Sequence, residues 1–447
     1  MKKYYLSALC VCLSLGLFAQ AEKKDELIKK NWNFGALPTI TFDTDLGFQY
    51  GALVNLFDYG DGSRYPKYNQ SLYFEVSRFT KGSGINRFYY DSDRLIKGLQ
   101  TSADLSYLSD QAYDFFGFNG YDAVYQPDWI DDAQPANIYK TRMFYKYDRK
   151  LFRFKVDLQG KLIGDHFRWT SGFNLQNFKI GSVNLDKLNK GKSGSDVLPA
   201  VDGLYEKYQQ WGIISAKEAN GGFVPTIKGG IVYDTRDNRP NPMKGVWMEA
   251  VLEGAPEFLG SESSFAKLSL IHREYFTLVP KTLSLVYRVA YQTTVAGHTP
   301  FYYQSQVITS VLTGALSEGL GGAKTMRGIL RNRVVGDGFL YGNVEARWKV
   351  VRFQWIKNNF YLGLNAFTDF GKVTKTIDTN FKYSGATGYY SFDPEYNKID
   401  AEKFHYSYGA GLRVVMNENF VIAADYGMTP NVQDGTSGMY IGLNYLF

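Results

Sequence analysis

Two stretches of the chain alternate strictly between apolar and polar residues. In Phe339–Val351, Leu340, Val344, Ala346, Trp348 and Val350 share one face, while Tyr341, Asn343, Glu345, Arg347 and Lys349 share the other. In Phe360–Gly371, Phe360, Leu362, Leu364, Ala366 and Phe370 point one way, Asn365 and Asp369 the opposite way. Side chains in a strand alternate with period two, so each stretch reads as a strand with one greasy face and one charged face that needs water. A membrane β-barrel meets that demand, with lipid outside and a wet lumen inside. The alternation predicts further strands over Pro38–Asp43, Leu46–Phe57, Ser71–Thr80, Ile85–Asp91, Leu99–Leu108, Tyr139–Tyr147, Leu151–Ile163 and Phe167–Ile180. It continues over Pro225–Thr235, Gly245–Glu253, Phe265–Leu278, Thr282–Thr293, Tyr406–Met416, Phe420–Met428 and Met439–Phe447. That makes seventeen, and single-chain bacterial barrels have an even number. Setting aside the short Pro38–Asp43 segment leaves sixteen antiparallel strands, an all-β fold.

Loop lengths add a topology, because such barrels have short periplasmic turns and long outer loops. Asp237–Lys244 is a Pro/Asn-rich turn, placed on the periplasmic side together with Val279–Lys281. Val295–Gly338, Gly181–Gly222 and Val373–Lys403 then fall outside. Strict alternation from the same strands puts Ser109–Ile138 in the periplasm, although its Tyr, Phe, Gly and Asp content suits an outer surface.

Composition narrows the class. Residues 1–21 read as a secretory signal: Lys2 and Lys3, an apolar run from Leu6 to Phe18 too short to span a bilayer, and Ala19-Gln-Ala21 as the cleavage pattern. Both cysteines, Cys10 and Cys12, lie inside it, so the mature chain is expected to carry no disulfide or thiol chemistry. Aromatics reach 17%, with 35 Tyr and 32 Phe, against only 13 Pro, which excludes a disordered or linker-rich chain. The net charge of +6 is spread without a basic block and gives no reason to invoke nucleic acid. No segment after residue 21 approaches 18 consecutive apolar residues, which excludes transmembrane helices. The expected organisation is a signal at 1–21, a short periplasmic segment at 22–36 with Lys23, Lys24, Lys29 and Lys30, and a barrel over 37–447.

Enzyme motifs are missing. There is no His-Glu-x-x-His, Gly-x-Ser-x-Gly or cysteine cluster. Gly319-Leu-Gly-Gly-Ala-Lys-Thr325 approaches a phosphate loop, but Ala323 stands where glycine is required and no strand–loop–helix context surrounds it. His166, His272, His298 and His405 are far apart in sequence. Asp91-Ser-Asp93 and Asp131-Asp132 are acid-rich enough for calcium but read more simply as solvated loops. No cofactor and no metal is expected.

One constellation remains. The glycine-rich loop with Gly321 and Gly322 runs into Met326-Arg327-Gly328-Ile329, followed by a strand with Glu345-x-Arg347 and another ending Phe367-Thr-Asp369-Phe-Gly371. This resembles the BamA, TamA and two-partner-secretion transporter superfamily of outer-membrane barrels, also known as the bacterial surface antigen family. Ile329 departs from it, since the family has Phe or Tyr there. The Asp237–Lys244 region likewise resembles a periplasmic turn of that family. The resemblance implies a sixteen-stranded outer-membrane barrel, not an enzyme, whose long outer loop folds inward so that Arg327 meets Asp369. It implies outer-membrane protein insertion or protein export, with unfolded outer-membrane or exported proteins as substrates. The seam between first and last strands, here Leu46–Phe57 against Met439–Phe447, would open sideways. Relatives carry periplasmic POTRA domains, and the 22–36 segment is too short for one, so a separate periplasmic or lipoprotein partner is implied alongside outer-membrane lipid. The competing reading is a passive pore or structural barrel that kept the fold without the activity. The final strand, with Tyr445 and Phe447 on its apolar face, resembles the terminal signal by which outer-membrane barrels are recognised for insertion.

Overall fold

The structure, a computed structural model, describes residues 27–43, 46–238, 241–308, 319–380 and 395–447. The expected signal segment lies outside them. Sixteen strands follow one another: β1 Trp32–Asp43, β2 Gly47–Asp58, β3 Gln70–Phe79, β4 Ser83–Ile96, β5 Leu99–Asp114, β6 Lys146–Ile163, β7 Phe167–Gly181 and β8 Gly221–Asp234. The second half comprises β9 Gly245–Ala255, β10 Phe265–Val279, β11 Leu283–Gly297, β12 Gly338–Trp355, β13 Asn358–Lys375, β14 His405–Met416, β15 Phe420–Met428 and β16 Ser437–Leu443. Each pairs antiparallel with its chain neighbours, and β16 returns to β1, closing the barrel. Among the described residues three short α-helices, α1 Leu185–Asn189, α2 Leu204–Gln210 and α3 Phe301–Gln304, sit in loops. Among the described residues no helix is long and apolar enough to cross a membrane.

Burial is inverted relative to a water-soluble sheet. In β13 the inward residues Tyr361, Asn365, Phe367 and Asp369 are buried, while the outward Leu364 and Ala366 are exposed. In β12 Asn343, Glu345 and Arg347 are buried and Ala346 faces out. Outward Phe74, Val76, Leu105, Phe152, Leu252 and Leu412 are exposed too. Apolar side chains this exposed over one whole surface require an apolar solvent. The polar residues then face inward and satisfy one another across strands.

Two of the expected strands need correction. Tyr139–Tyr147 is not a strand, since β6 begins only at Lys146. Its aromatics instead build a cap over one mouth of the barrel: Phe144 packs edge-on to Trp129 at 4.9 Å and Tyr145 stacks on Phe116 at 5.3 Å. Pro38–Asp43, set aside on sequence, is the second half of β1, which starts at Trp32 and therefore ahead of the boundary placed at residue 37. It pairs with β2 from Trp32↔Asp58 to Asp43↔Gly47.

The same correction moves residues 115–145. With the surplus strand gone, they join 182–220, 298–308, 319–337, 376–380 and 395–404 at one end of the barrel, opposite the short turns. These loops grip one another: Asn119 N–H donates to Val335 O at 2.6 Å, and Val124 N–H to Tyr396 O at 2.9 Å. At the other end the β12–β13 turn is two residues, Ile356 and Lys357, with φ of 46° and 55°. Paired positive φ values give the turn a twist that matches the strands.

Candidate functional site

The loop between β11 and β12 enters the lumen, and glycine makes its path possible. Gly321 has φ 115°, and a Cβ there would lie 2.0 Å from Leu330 O. Gly322 also has positive φ, 75°. The Thr325 hydroxyl accepts from Gly321 N–H at 2.9 Å and donates back to Gly321 O at 3.0 Å, closing the turn. The chain then delivers Met326-Arg327-Gly328-Ile329 to the inner wall.

Arg327 lies fully buried against β12, β13 and β15. Its Nε and Nη2 each donate at 2.9 Å to the two oxygens of Asp369, and its own main-chain N–H donates to Asp369 Oδ2 at 2.9 Å. Nη1 contacts Glu345 Oε1 at 2.7 Å and Asp425 Oδ2 at 3.5 Å, as ion contacts rather than aligned hydrogen bonds. The guanidinium also lies 3.5 Å from the centre of the Phe367 ring. Burial works against this charge, but Asp369, Glu345 and Asp425 outweigh it and raise the Arg327 pKa above the usual guanidinium range. A forked, bidentate pair fixes direction as well as charge.

The neighbours of Arg327 act by shape. Gly328, φ 89°, lies so close to β15 that a Cβ would fall 2.5 Å from the Gly427 carbonyl carbon. Its N–H reaches Tyr440 Oη of β16 at 3.3 Å. Gly371 leaves room for Met326, whose Sδ would sit 2.8 Å from a Cβ at that position. Ile329 is completely buried with Met326, Leu320, Val334 and Phe339, so an aliphatic residue fills the place given to an aromatic in the family pattern. Arg347 does not touch the loop. Its Nε donates to Glu345 Oε2 at 2.7 Å, and Nη2 donates to Phe447 O at 3.1 Å.

Sequence reasoning did not select Arg331 and Arg333. Arg331 Nε donates to Asp114 Oδ2 of β5 at 2.7 Å, with Asp110 Oδ1 3.6 Å from Nη1. Arg333 donates to the main-chain oxygens of Gln433, Gly120 and Ala123 at 2.6, 2.9 and 2.9 Å. The loop is thus held on β12, β13 and β15 at one side and on β5 at the other, bridging the lumen. Three arginines within seven residues was the available signal. Gly427 and Tyr440, which also meet the loop, left none.

The histidines and acidic runs fall elsewhere. His405 is buried between Asp434 Oδ1 at 2.6 Å and Glu402 Oε2 at 3.3 Å, and stacks on Tyr121 at 3.8 Å. It binds loops together and has no open face. Asp93 pairs with Arg64 and Lys67, and Asp132 with Arg142. Among the described residues no group of three His, Cys, Asp or Glu could hold a metal.

The seam differs from the rest of the barrel and from the expected one. It joins β1, not Leu46–Phe57, to β16. Among the described residues the two strands meet at one residue pair, Asp43↔Tyr440, whereas β1 pairs β2 along all twelve of its residues. The last strand, expected to run to Phe447, stops at Leu443. Asn444, φ 70°, turns the chain inward. Tyr445 and Phe447 therefore leave the apolar outer face: Tyr445 Oη meets Tyr361 Oη at 3.1 Å, and Phe447 packs on Tyr275 and Val286. Where β16 has ended, Phe420 of β15 lies against Gly35 of β1, and a Cβ on Gly35 would be 2.9 Å from that ring.

No curated protein matches the chain. Among solved structures it is similar to BamA from Haemophilus ducreyi lacking POTRA domains 1–3, at 13% identity and TM-score 0.49, over 93% of this chain and 71% of that one. It is also similar to CdiB from Escherichia coli, at 11% identity and TM-score 0.51, over 93% of this chain and 63% of that one. CdiB from Acinetobacter baumannii matches at 12% identity and TM-score 0.41, over 93% of this chain and 65% of that one. At 11% identity the likeness to CdiB from Escherichia coli speaks to the fold alone. A model of the Omp85 superfamily domain matches residues 67–447, most of the chain, and the chain belongs to that superfamily of outer-membrane β-barrels.

Proposed function

We propose that this chain acts in outer-membrane protein insertion or in protein export, by lending the β1 edge at its seam to an incoming strand. The observation that carries this reading is that, among the described residues, β1 and β16 share the one residue pair Asp43↔Tyr440. An unpaired strand edge presents a row of main-chain donors and acceptors that another strand completes. Barrel closure normally removes such edges; this barrel keeps one. The reading involves no chemical step, cofactor or metal, and its substrates are unfolded outer-membrane or exported polypeptides.

The filled lumen supports this reading over a passive pore. The Arg327–Arg333 segment bridges the interior, and an aromatic cluster including Phe115, Trp129, Tyr145, Tyr205 and Phe301 caps the long-loop end. That end faces outward by the loop-length rule. A separate periplasmic or lipoprotein partner, docked on the short turns, is part of the proposal. Within Asp237–Lys244, Asn241 is engaged by Glu418 of the β14–β15 turn at 2.9 Å, while Asp237 and Lys244 are exposed and open to such a partner.

Depletion followed by outer-membrane proteomics tests the function. Loss of other barrels, or of an exported protein, is expected. An unchanged outer membrane, together with steady conductance of the purified protein in planar bilayers, would establish the passive pore instead.

A further inference from the structure

On the outward wall, one register line crosses β3 to β7 near the long-loop end. It runs Arg78, Gly84, Ser109, Lys150 and Lys179, each the direct partner of the next. Alternation puts the whole line outside, since the preceding Ser77, Ser83, Arg149 and Phe178 are buried toward the lumen. Arg78, Lys150 and Lys179 are exposed. The line also sits at the edge of the apolar band. One or two pleats below it, the outward Val76, Leu105, Tyr107 and Phe152 are exposed as well. Long loops mark the outer side of such barrels, so the cations stand at the level of the outer-leaflet headgroups.

These charges are poorly matched within the chain. Lys150 and Lys179 face each other across β6 and β7, and like charges directly opposite are destabilising. Lys150, Lys187 of α1 and Lys179 all act on one carboxylate, Asp148, whose Oδ1 is 3.8 Å from Lys150 Nζ. Arg78 donates to Ser77 O and contacts Asn86 Oδ1, and it meets no carboxylate among the described residues. Glycine sets its direction. A Cβ on Gly84 would lie 2.9 Å from both Arg78 Cδ and Ser109 Oγ, so the arginine crosses β4 through the space that a side chain would fill. Only the small Ser109 then separates it from Lys150 in the line.

We propose that this line is a binding site for a phosphate-bearing lipid of the outer leaflet. Arg78, Lys150 and Lys179 hold the headgroup, and the acyl chains lie on Val76, Leu105, Tyr107 and Phe152. Phosphate oxygens accept charge-assisted hydrogen bonds from both residue types, with arginine supplying a planar fork and lysine a point charge. A bound phosphate also removes the repulsion between Lys150 and Lys179. The site fixes the height of the β3–β7 wall in the membrane and does not depend on the seam.

The test is native mass spectrometry of the full chain in detergent with dioleoylphosphatidic acid, dioleoylphosphatidylcholine or inorganic phosphate. An Arg78→Gln/Lys150→Gln/Lys179→Gln variant is compared with Lys161→Gln/Lys244→Gln/Lys281→Gln, which removes as many exposed charges from the short-turn end. The unaltered chain and the short-turn variant should bind phosphatidic acid saturably and alike. The first variant should bind it at least about tenfold more weakly. Phosphatidylcholine, whose choline offsets its phosphate, should bind weakly to all three proteins. Equal affinity of the two variants for phosphatidic acid would overturn the proposal. So would inorganic phosphate binding as tightly as the lipid, which would make this a simple anion site. Should the first variant fail to fold, the unaltered chain supplies the readout in phosphatidylcholine vesicles with and without phosphatidic acid. The added lipid should slow acetylation of Lys150 and Lys179 by acetic anhydride about fivefold more than that of Lys244. Equal slowing at all three lysines would overturn the proposal.

Discussion

Arg327 and Asp369 meet through three hydrogen bonds, two from the guanidinium and one from the Arg327 main-chain N–H. The third matters because it ties the backbone of the loop to the wall of β13. Arg327→Ala keeps that N–H but removes the only charged partner described for Asp369, a buried carboxylate, while Glu345 retains Arg347 at 2.7 Å. The expected cost is about 3–5 kcal/mol in a dry site, less where water enters. It is read as a lowered midpoint of heat-modified gel migration in detergent. A midpoint unchanged from the unaltered protein would mean that the pair does not hold the loop.

Gly328→Ala probes shape without touching charge. An added methyl would meet the Gly427 backbone at 2.5 Å, in a residue at φ 89°. Overpacking of this kind costs roughly 1–3 kcal/mol, and left-handed backbone adds about 1–2 kcal/mol for a residue with a Cβ. The variant should lose stability and expose the loop to protease, while Gly435→Ala, which also strains φ but meets a flexible Leu330 side chain, should lose less.

Arg331→Ala should weaken the far anchor more mildly than Arg327→Ala weakens the near one. Asp114 retains Lys146, and Asp110 retains Arg149 at 2.8 Å, so neither carboxylate is stranded. Roughly 1–3 kcal/mol is expected. Hydrogen exchange should quicken in residues 319–335 without quickening in β13. A loss as large as that of Arg327→Ala would contradict this ranking.

Asp337 gives a pH dependence at the root of the loop. Burial favours its neutral form, but Lys375 at 2.7 Å, Thr294 and Gln304 outweigh it and hold the pKa below the usual carboxylate value. A group depressed on folding stabilises above its unfolded pKa, about 3.9, and that contribution fades as pH falls through the lower folded value. Asp337→Asn should therefore lower the midpoint at pH 7 and make a smaller difference near pH 2. An equal difference at both pH values would assign the effect to lost packing.

The alternation of β12 and β13 was legible because lipid outside and buried ion pairs inside impose opposite demands on successive residues. So was Arg327 against Asp369, since the charge lies on the polar face. Three features were not. Tyr139–Tyr147 alternates in aromatics, yet Phe144 and Tyr145 pack into the outer cap instead of facing lipid. β1 holds Pro38, and proline is confined to edge strands; β1 is such an edge, fully paired only with β2. The turn at Asn444 breaks no pattern, because asparagine tolerates positive φ more readily than most residues. The groups that Tyr445 and Phe447 meet inside, Tyr361, Tyr275 and Val286, are distant in sequence.

The most direct measurement locks the seam. The cysteines of the sequence lie only at positions 10 and 12, so Asp43→Cys with Tyr440→Cys introduces one pair on β1 and β16, at the residues that face each other. The same protein is compared oxidised and reduced, which cancels any effect of losing Tyr440. Assembly of other outer-membrane proteins, or export, should stop when the disulfide forms and return on reduction. Equal activity in both states would show that the seam need not open, and would contradict the proposed function.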